Sequence, residues 1–300
     1  MTSPMVGIDW LRVGVGHPAV RDVLNIARNT APNRFNLVVA DGLWAVELAL
    51  ELGSRLDRFF YAPELVRSSN AAKVAIEAAS GAYRAYEVSA KTMQRMSERD
   101  APEGLLALVA MPRWDPAQIE LSEDALIFVT DGIEIPGNLG TLLRTADGAH
   151  AELLVMTNRR TRMSHPKVFR SSKGMSLHVP HIEFGQVDDA ISWLTERGVH
   201  IYLADTQDSV HYRTMDCSGR TAIVVGNERY GITNPWYGHG FPRVGVPMLG
   251  VADSLNVSIS AAILAYEARA RKHHRQRCSA AGEVDGRRVA APRSARSRPR

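Results

Sequence analysis

The chain has 300 residues, 45% of them hydrophobic and 23% charged, with two cysteines and a formal net charge of +4. That length allows two domains with a sizeable core, and the composition is that of an ordinary globular protein rather than a disordered or disulfide-stapled one. No apolar run has the roughly 20 residues that a bilayer crossing needs, no basic segment followed by an apolar core opens the chain, and Cys217 and Cys278 belong to no Cys/His set with zinc spacing. No membrane partner and no metal are expected, and a cytoplasmic location is. The charge is unevenly placed. From Arg271 onward there are ten Lys/Arg against two acids, which leaves 26 Lys/Arg against 30 acids before it. The last segment, 273–300, is rich in Arg, Ser, Pro and Ala and too poor in large apolar residues to fold alone. It reads as a basic disordered tail that adds non-specific attraction to nucleic-acid phosphates.

Met1 to Gly16 shows no clear period. Val13-Gly-Val-Gly16 lacks the third glycine and the framing strand of a dinucleotide fingerprint. Pro18 then opens a helix whose apolar positions are Val20, Val23, Leu24 and Ala27. A strand at Phe35–Ala40, a helix at Leu43–Leu52 stopped by Gly53, a strand at Leu56–Tyr61, a helix at Ala71–Ala79 and a strand at Tyr83–Val88 follow. Ser89 caps a helix reaching Met96, and Leu105–Val109 closes the series. Alternating strands and helices make residues 1–111 a small α/β domain.

The Pro-Arg-Trp-Asp-Pro run within 112–123 reads as a linker. In the second domain, 124–272, strands are expected at Ala125–Thr130, Leu153–Met156, Leu177–Pro180, His200–Ala204, Ala222–Val225 and Arg243–Val246. Helices are expected at Leu139–Ala149, Pro166–Ser171, Asp188–Gly198 and Asn256–Arg271. This is α/β with a mostly parallel sheet and helices on both faces.

Three segments of like character follow expected strands. They are Asn138-Leu-Gly-Thr-Leu-Leu-Arg144, Gly226-Asn-Glu-Arg-Tyr-Gly231, and Val246 to Ala262 with its Ser254-Leu-Asn-Val. Each sets Gly, Asn and a charged or hydroxyl residue just past an apolar strand, the rim where open α/β sheets bind ligands. Ser254 and Asn256 are also good helix N-cap residues. In order and spacing the segments resemble the three motifs of the SpoU (TrmH-like) family of RNA ribose 2′-O-methyltransferases, within the SPOUT superfamily. The resemblance covers about Leu126 to Ala270.

It implies a C-terminal trefoil-knot (SPOUT) domain, an N-terminal ribosomal-protein-like RNA-binding domain, S-adenosylmethionine as cofactor, RNA as partner and a homodimer. Composition and periodicity show no knot. The resemblance further implies that Arg144, Asn138, Glu228, Ser254 and Asn256 carry the chemistry. Leu203, Gly226, Asn227, Glu228, Val246, Met248 and Leu255 would surround the cofactor. Arg21, Arg28, Asn33 and Arg34, with Arg170 and Lys173 in the second domain, would face RNA. A guanidinium stays protonated, so Arg144 suits a phosphate or a developing alkoxide rather than a proton acceptor. Met175 stands where the family usually has Ala, and lone histidines such as His165 and His178 are more often structural. The implied reaction is 2′-O-methylation of bacterial 23S ribosomal RNA. Some relatives confer resistance to thiostrepton or avilamycin, and the Ala/Arg-rich composition is compatible with an actinobacterial origin. A transfer-RNA methyltransferase and a non-catalytic RNA-binding relative remain the alternatives.

Overall fold

The computed structural model describes residues 8–285, with side chains as far as Lys272. The first sheet belongs to β1 (Trp10–Arg12), α1 (Pro18–Arg28), β2 (Leu37–Asp41), α2 (Leu43–Glu51), β3 (Leu56–Tyr61), α3 (Ser69–Gly81), β4 (Arg84–Glu87), α4 (Ala90–Met96) and β5 (Leu105–Ala110). Its order is β1-β4-β3-β5-β2, and β5 runs antiparallel to both its neighbours. Local chemistry sets the helix ends. His17 Nδ1 accepts from the Ala19 N–H ahead of Pro18, and Ser89 Oγ accepts from the Thr92 N–H to open α4. The strand at β1 was not expected; three residues at a sheet edge, two of them exposed, leave no period to read.

The second layer comprises β6 (Leu126–Asp131), α5 (Pro136–Gly148), β7 (Leu153–Thr157), α6 (Pro166–Ser171), β8 (His181–Glu183) and α7 (Val187–Glu196). It continues with β9 (His200–Ala204), β10 (Val210–His211), β11 (Thr221–Gly226), α8 (Asn234–Tyr237), β12 (Arg243–Gly245) and α9 (Val257–Asp285). Seven strands in the order β10-β12-β9-β11-β6-β7-β8 pair in parallel throughout. β6, β7 and β11 are buried along their whole length, as apolar runs covered on both faces must be. The strand expected at Leu177–Pro180 instead forms a single tight turn, Met175–Leu177, and pairing starts at His181. The tail boundary at 273 falls inside α9, whose backbone stays helical to Asp285; no proline interrupts it before Pro292. The expected tail residues 286–300 lie outside the described residues.

One apolar cluster runs from the α2–α3 face of the first sheet into the α5–α9 face of the second. A second fills the α7–α8 face, and a third lies under α1 and α4. The parallel register brings Asp131 beside Gly226 and Val244 beside Ala204, so the loops after β6, β9, β11 and β12 leave from one rim.

Candidate active site

Asp131 ends β6 fully buried and is the staple of that rim. Its Oδ1 accepts from Thr157 Oγ1 (2.9 Å) and Asn158 Nδ2 (2.7 Å), and its Oδ2 accepts from the N–H and Oγ1 of Thr233 (2.7 Å each). Four donors compensate the burial of a carboxylate. Beside it, Asn227 Nδ2 donates to the Gly132 carbonyl at 2.8 Å, and Asn227 and Gly231 exchange main-chain bonds at 2.9 Å to close a tight loop. Gly226 has to be glycine there, since a Cβ would stand 2.2 Å from the Gly231 carbonyl carbon.

That loop aims Glu228 at the start of α5. Its carboxylate accepts from the N–H groups of Glu134 (3.1 Å) and Ile135 (3.2 Å) and from Asn138 Nδ2 (2.8 Å). Asn138 Oδ1 then accepts from Asn256 Nδ2 at 3.1 Å, and Asn256 Oδ1 caps α9 through the Ser258 N–H at 3.0 Å. A chain of side-chain bonds, Glu228–Asn138–Asn256, thus joins the three segments that the sequence kept about 90 and 118 residues apart. Together they line a cleft of about 500 Å³ that also includes Gly226, Tyr230 and Ser254. Ser254 Oγ donates to Asp253 Oδ1 at 3.1 Å, in an exposed loop.

The cleft fits S-adenosylmethionine in its residues. Its edge joins a smaller apolar lobe of about 50 Å³ lined by Val246, Met248 and Leu255. Among the described residues, 247–255 form no main-chain hydrogen bond, so their backbone groups are free for an adenine or an amino-acid end. Leu203 sits below the cleft: its side chain is fully buried and its N–H is taken by the Pro242 carbonyl. Its successors Ala204 to Gln207 line the cleft instead.

Sequence reasoning missed two groups here. Tyr237 donates to Asp205 Oδ2 at 2.7 Å, while Asp205 Oδ1 accepts from the Gln207 N–H. Burial, with Asp205 second, pushes the Tyr237 hydroxyl well above its ordinary value, so it remains a donor. Asp205 follows a strand end as the motif residues do, and that signal could have found it; Tyr237 has no local one.

Arg144 lies further along α5, exposed and outside the cleft lining. Among the described residues it has no hydrogen bond or ion pair. Arg21, Arg28 and Arg34 are also exposed. Asn33 differs, because both ends of its amide are used on Leu37 (2.9 and 2.6 Å), which shapes the entry to β2. Arg170 and Lys173 face the first domain: Arg170 pairs with Glu98, and the Lys173 ammonium stands 5.9 Å from the centre of the Trp44 ring. The basic turn is therefore a joint between the domains. Gly174 allows it, at a φ of 76° and with Leu48 2.4 Å from where a Cβ would be. His165 caps α6 through the Lys167 N–H, and burial lowers its pKa; His178 lies 3.9 Å from Asp147. Among the described residues no cluster could hold a metal, and no helix is long and apolar enough to cross a membrane.

Residues 125–266 match the SpoU rRNA Methylase family, and residues 18–107 match the MRM3-like substrate binding domain. A 23S rRNA (guanosine(2553)-2′-O)-methyltransferase of Bacillus subtilis (strain 168) is 29% identical over 61% of this chain and 72% of its own length. A 23S rRNA (uridine(2479)-2′-O)-methyltransferase of Streptomyces viridochromogenes is 30% identical over 59% of this chain and 63% of its own. In structure, the AdoMet-bound rRNA methyltransferase of Sinorhizobium meliloti superposes with a TM-score of 0.76 at 27% identity, over 87% of this chain and 98% of that one. The SpoU methyltransferase AviRb of S. viridochromogenes, with AdoMet, shares the fold at a TM-score of 0.74 and 23% identity, over 85% and 98%.

Proposed function

This chain belongs to the SpoU rRNA methylase family, and from that premise we propose that it transfers a methyl group from S-adenosylmethionine to a ribose 2′-hydroxyl of RNA, in 23S ribosomal RNA. The observation that carries the reading is the Glu228–Asn138–Asn256 chain closing one cleft from three distant segments. S-adenosylmethionine supplies an activated methyl on a sulfonium. The protein's part is to hold a sugar oxygen against it and help the hydroxyl lose its proton; positioning of this kind can supply much of the rate.

Glu228 is a positioning residue. Three N–H donors occupy its carboxylate, which fixes the Asn138 amide rather than leaving a free base. Asn138 and Asn256 orient the wall of the cleft, and Ser254 is the hydroxyl placed to meet the target ribose. Arg144 pairs with the phosphate beside that ribose, where its charge also stabilises the alkoxide that develops as the hydroxyl loses its proton. Its exposure and lack of a protein partner suit a charge kept for a polyanion. The first domain grips RNA through Arg21, Arg28 and Arg34, a role supported by the substrate-binding match. We infer a homodimer, with the knot the family implies, because large exposed apolar residues (Ile135, Tyr230, Leu249, Val251 and Ile259) border the cleft loops.

Incubation with labelled S-adenosylmethionine and unmethylated ribosomal RNA tests the reading. Label should appear in alkali-resistant dinucleotides, since a 2′-O-methyl group blocks cleavage at its own ribose. Arg144→Ala should fold, bind cofactor and lose at least about 100-fold in transfer, the cost of a removed electrostatic donor. Label in mononucleotides, or full activity in Arg144→Ala, would contradict it.

A further inference from the structure

The loop after β7, Asn158-Arg-Arg-Thr-Arg-Met163, carries three arginines that take no part in the site described above. It is fastened at three points. At its start Asn158 takes the left-handed conformation, with a φ of 49°, and its amide donates to the buried Asp131 carboxylate at 2.7 Å. In its middle Thr161 Oγ1 donates to the Glu134 carbonyl at 2.7 Å. Glu228 accepts from the N–H of that same Glu134, so the lip of the cleft is gripped from both sides. At its end Arg162 Nη2 donates to Asn29 Oδ1 in the C-terminal cap of α1, where a cation also meets the negative end of the helix dipole. Thr161 and Arg162 are consecutive, about 3.8 Å apart at Cα. The loop thus links the lip of the cleft to the first domain within one residue step. Its three charges meet different things. Arg159 pairs with Glu183 at 2.6 Å, and Arg162 holds the joint. Arg160 is exposed and, among the described residues, has neither a hydrogen bond nor an ion pair. The same holds for Arg28, the last residue of α1 and the neighbour of Asn29.

We propose that the loop 158–163 is a phosphate track, on which Arg160 takes the RNA backbone from Arg28 of the first domain and leads it to the mouth of the cleft. This rests on the RNA-binding part of the reading above and deepens it by giving the path of the substrate. Arg28 already belongs to the grip of the first domain; Arg160 carries that grip across the joint. The shortest route from α1 to the Ile135 side of the cleft crosses this loop, because the loop touches both. A guanidinium stays charged and matches phosphate oxygens with paired donors, and a loop already pinned at three points loses little further freedom on binding. A single small anion fits less well. Arg28 adjoins the Arg162 anchor in one domain and Arg160 the Thr161 anchor in the other, an arrangement that follows a line rather than surrounding a point. The local balance is basic: against Arg28, Arg160 and Arg162 stands the exposed Glu134, while Glu183 is neutralised by Arg159. Phosphate contacts of this kind fix the register and orientation of a substrate and carry no base information. The track therefore sets how the RNA lies in the cleft, whatever its sequence.

The test measures binding of unmethylated ribosomal RNA and of polyuridylate to the full chain over a range of salt, with S-adenosylmethionine affinity and methyl transfer followed in the same samples. Arg160→Ala should lower the slope of log K against log salt by about 0.7–0.9 on both RNAs, the counterions released by one phosphate contact. Both affinities should fall about fivefold at about 0.1 M salt, and the KM for ribosomal RNA should rise in step. An unaltered cofactor affinity shows that the variant is folded. Arg28→Ala should change the slope by the same amount, and the double variant by about twice as much. Lys73→Ala, which removes an exposed charge on α3, should leave the slope as it is. An unchanged slope in Arg160→Ala overturns the track and leaves the loop to an acidic protein surface. A loss confined to ribosomal RNA overturns it too, since that marks base reading rather than backbone contact. Methyl transfer by the wild type in either case leaves the methyltransferase reading intact. A chain that shows the slope changes but neither binds S-adenosylmethionine nor transfers methyl groups upholds the track and overturns that reading.

Discussion

Glu228 shows how much a single charge can organise without itself reacting. Two main-chain N–H groups and one amide converge on it, and each is satisfied only by a full carboxylate. Glu228→Gln keeps the volume but turns a donor towards donors. Methyl transfer should fall about tenfold or more, the value of one charged hydrogen bond, with S-adenosylmethionine affinity reduced alongside; steady-state kinetics and calorimetry check both, and an unchanged kcat would remove Glu228 from the positioning role. His181 bears on stability instead. Packed edge-on against Trp114 at 4.4 Å, it is kept neutral by burial, which pushes its pKa down to about 4. The folded value lies below the free value of about 6.5, so its contribution is complete above pH 6.5 and is lost as pH falls towards 4. Between pH 7 and pH 4.5 the wild type should lose about 2 kcal/mol more than His181→Phe in denaturant titrations. Parallel curves for the two proteins would show that another group governs acid sensitivity.

At the scale of elements, the loop Gly226–Gly231 and the start of α5 are set by close backbone approach. An added methyl at Gly226 would meet the backbone of Gly231 and Ile232 at 2.2 and 2.3 Å, and neither can yield as a side chain would. Gly226→Ala should cost about 1–3 kcal/mol of stability and abolish measurable cofactor binding, whereas Gly250→Ala, with open space around it, should do neither. Equal cofactor affinity in the two variants would contradict the tight fit. These loops were legible in the sequence because their residues are contiguous: in order and spacing the three segments resemble the SpoU motifs, which no one of them would have shown alone. The long helices and buried strands were legible for the same reason, by period. The rest depended on distance. Asp131 carries no signal of its own in the sequence, because its four donors come from residues up to 102 positions away. Arg170 and Lys173 are placed facing RNA by the resemblance, and only the docking of Glu98 and Trp44 makes them a joint.

For the whole molecule, the parallel register of seven strands converts sequence separation into proximity. Segments ending β6, β9, β11 and β12 share one rim, and the first domain is bound to that layer through a continuous apolar cluster and the Arg170–Glu98 pair. A bound cofactor therefore has to be felt by all the rim loops at once, and by little else. Hydrogen exchange of the full chain with and without S-adenosylmethionine measures this most directly. Amides of 132–138, 226–231 and 246–257 should be protected together, with α3 and β4 unchanged. Protection confined to one of these segments, or centred on another part of the chain, would contradict the convergence of the three segments on one cleft.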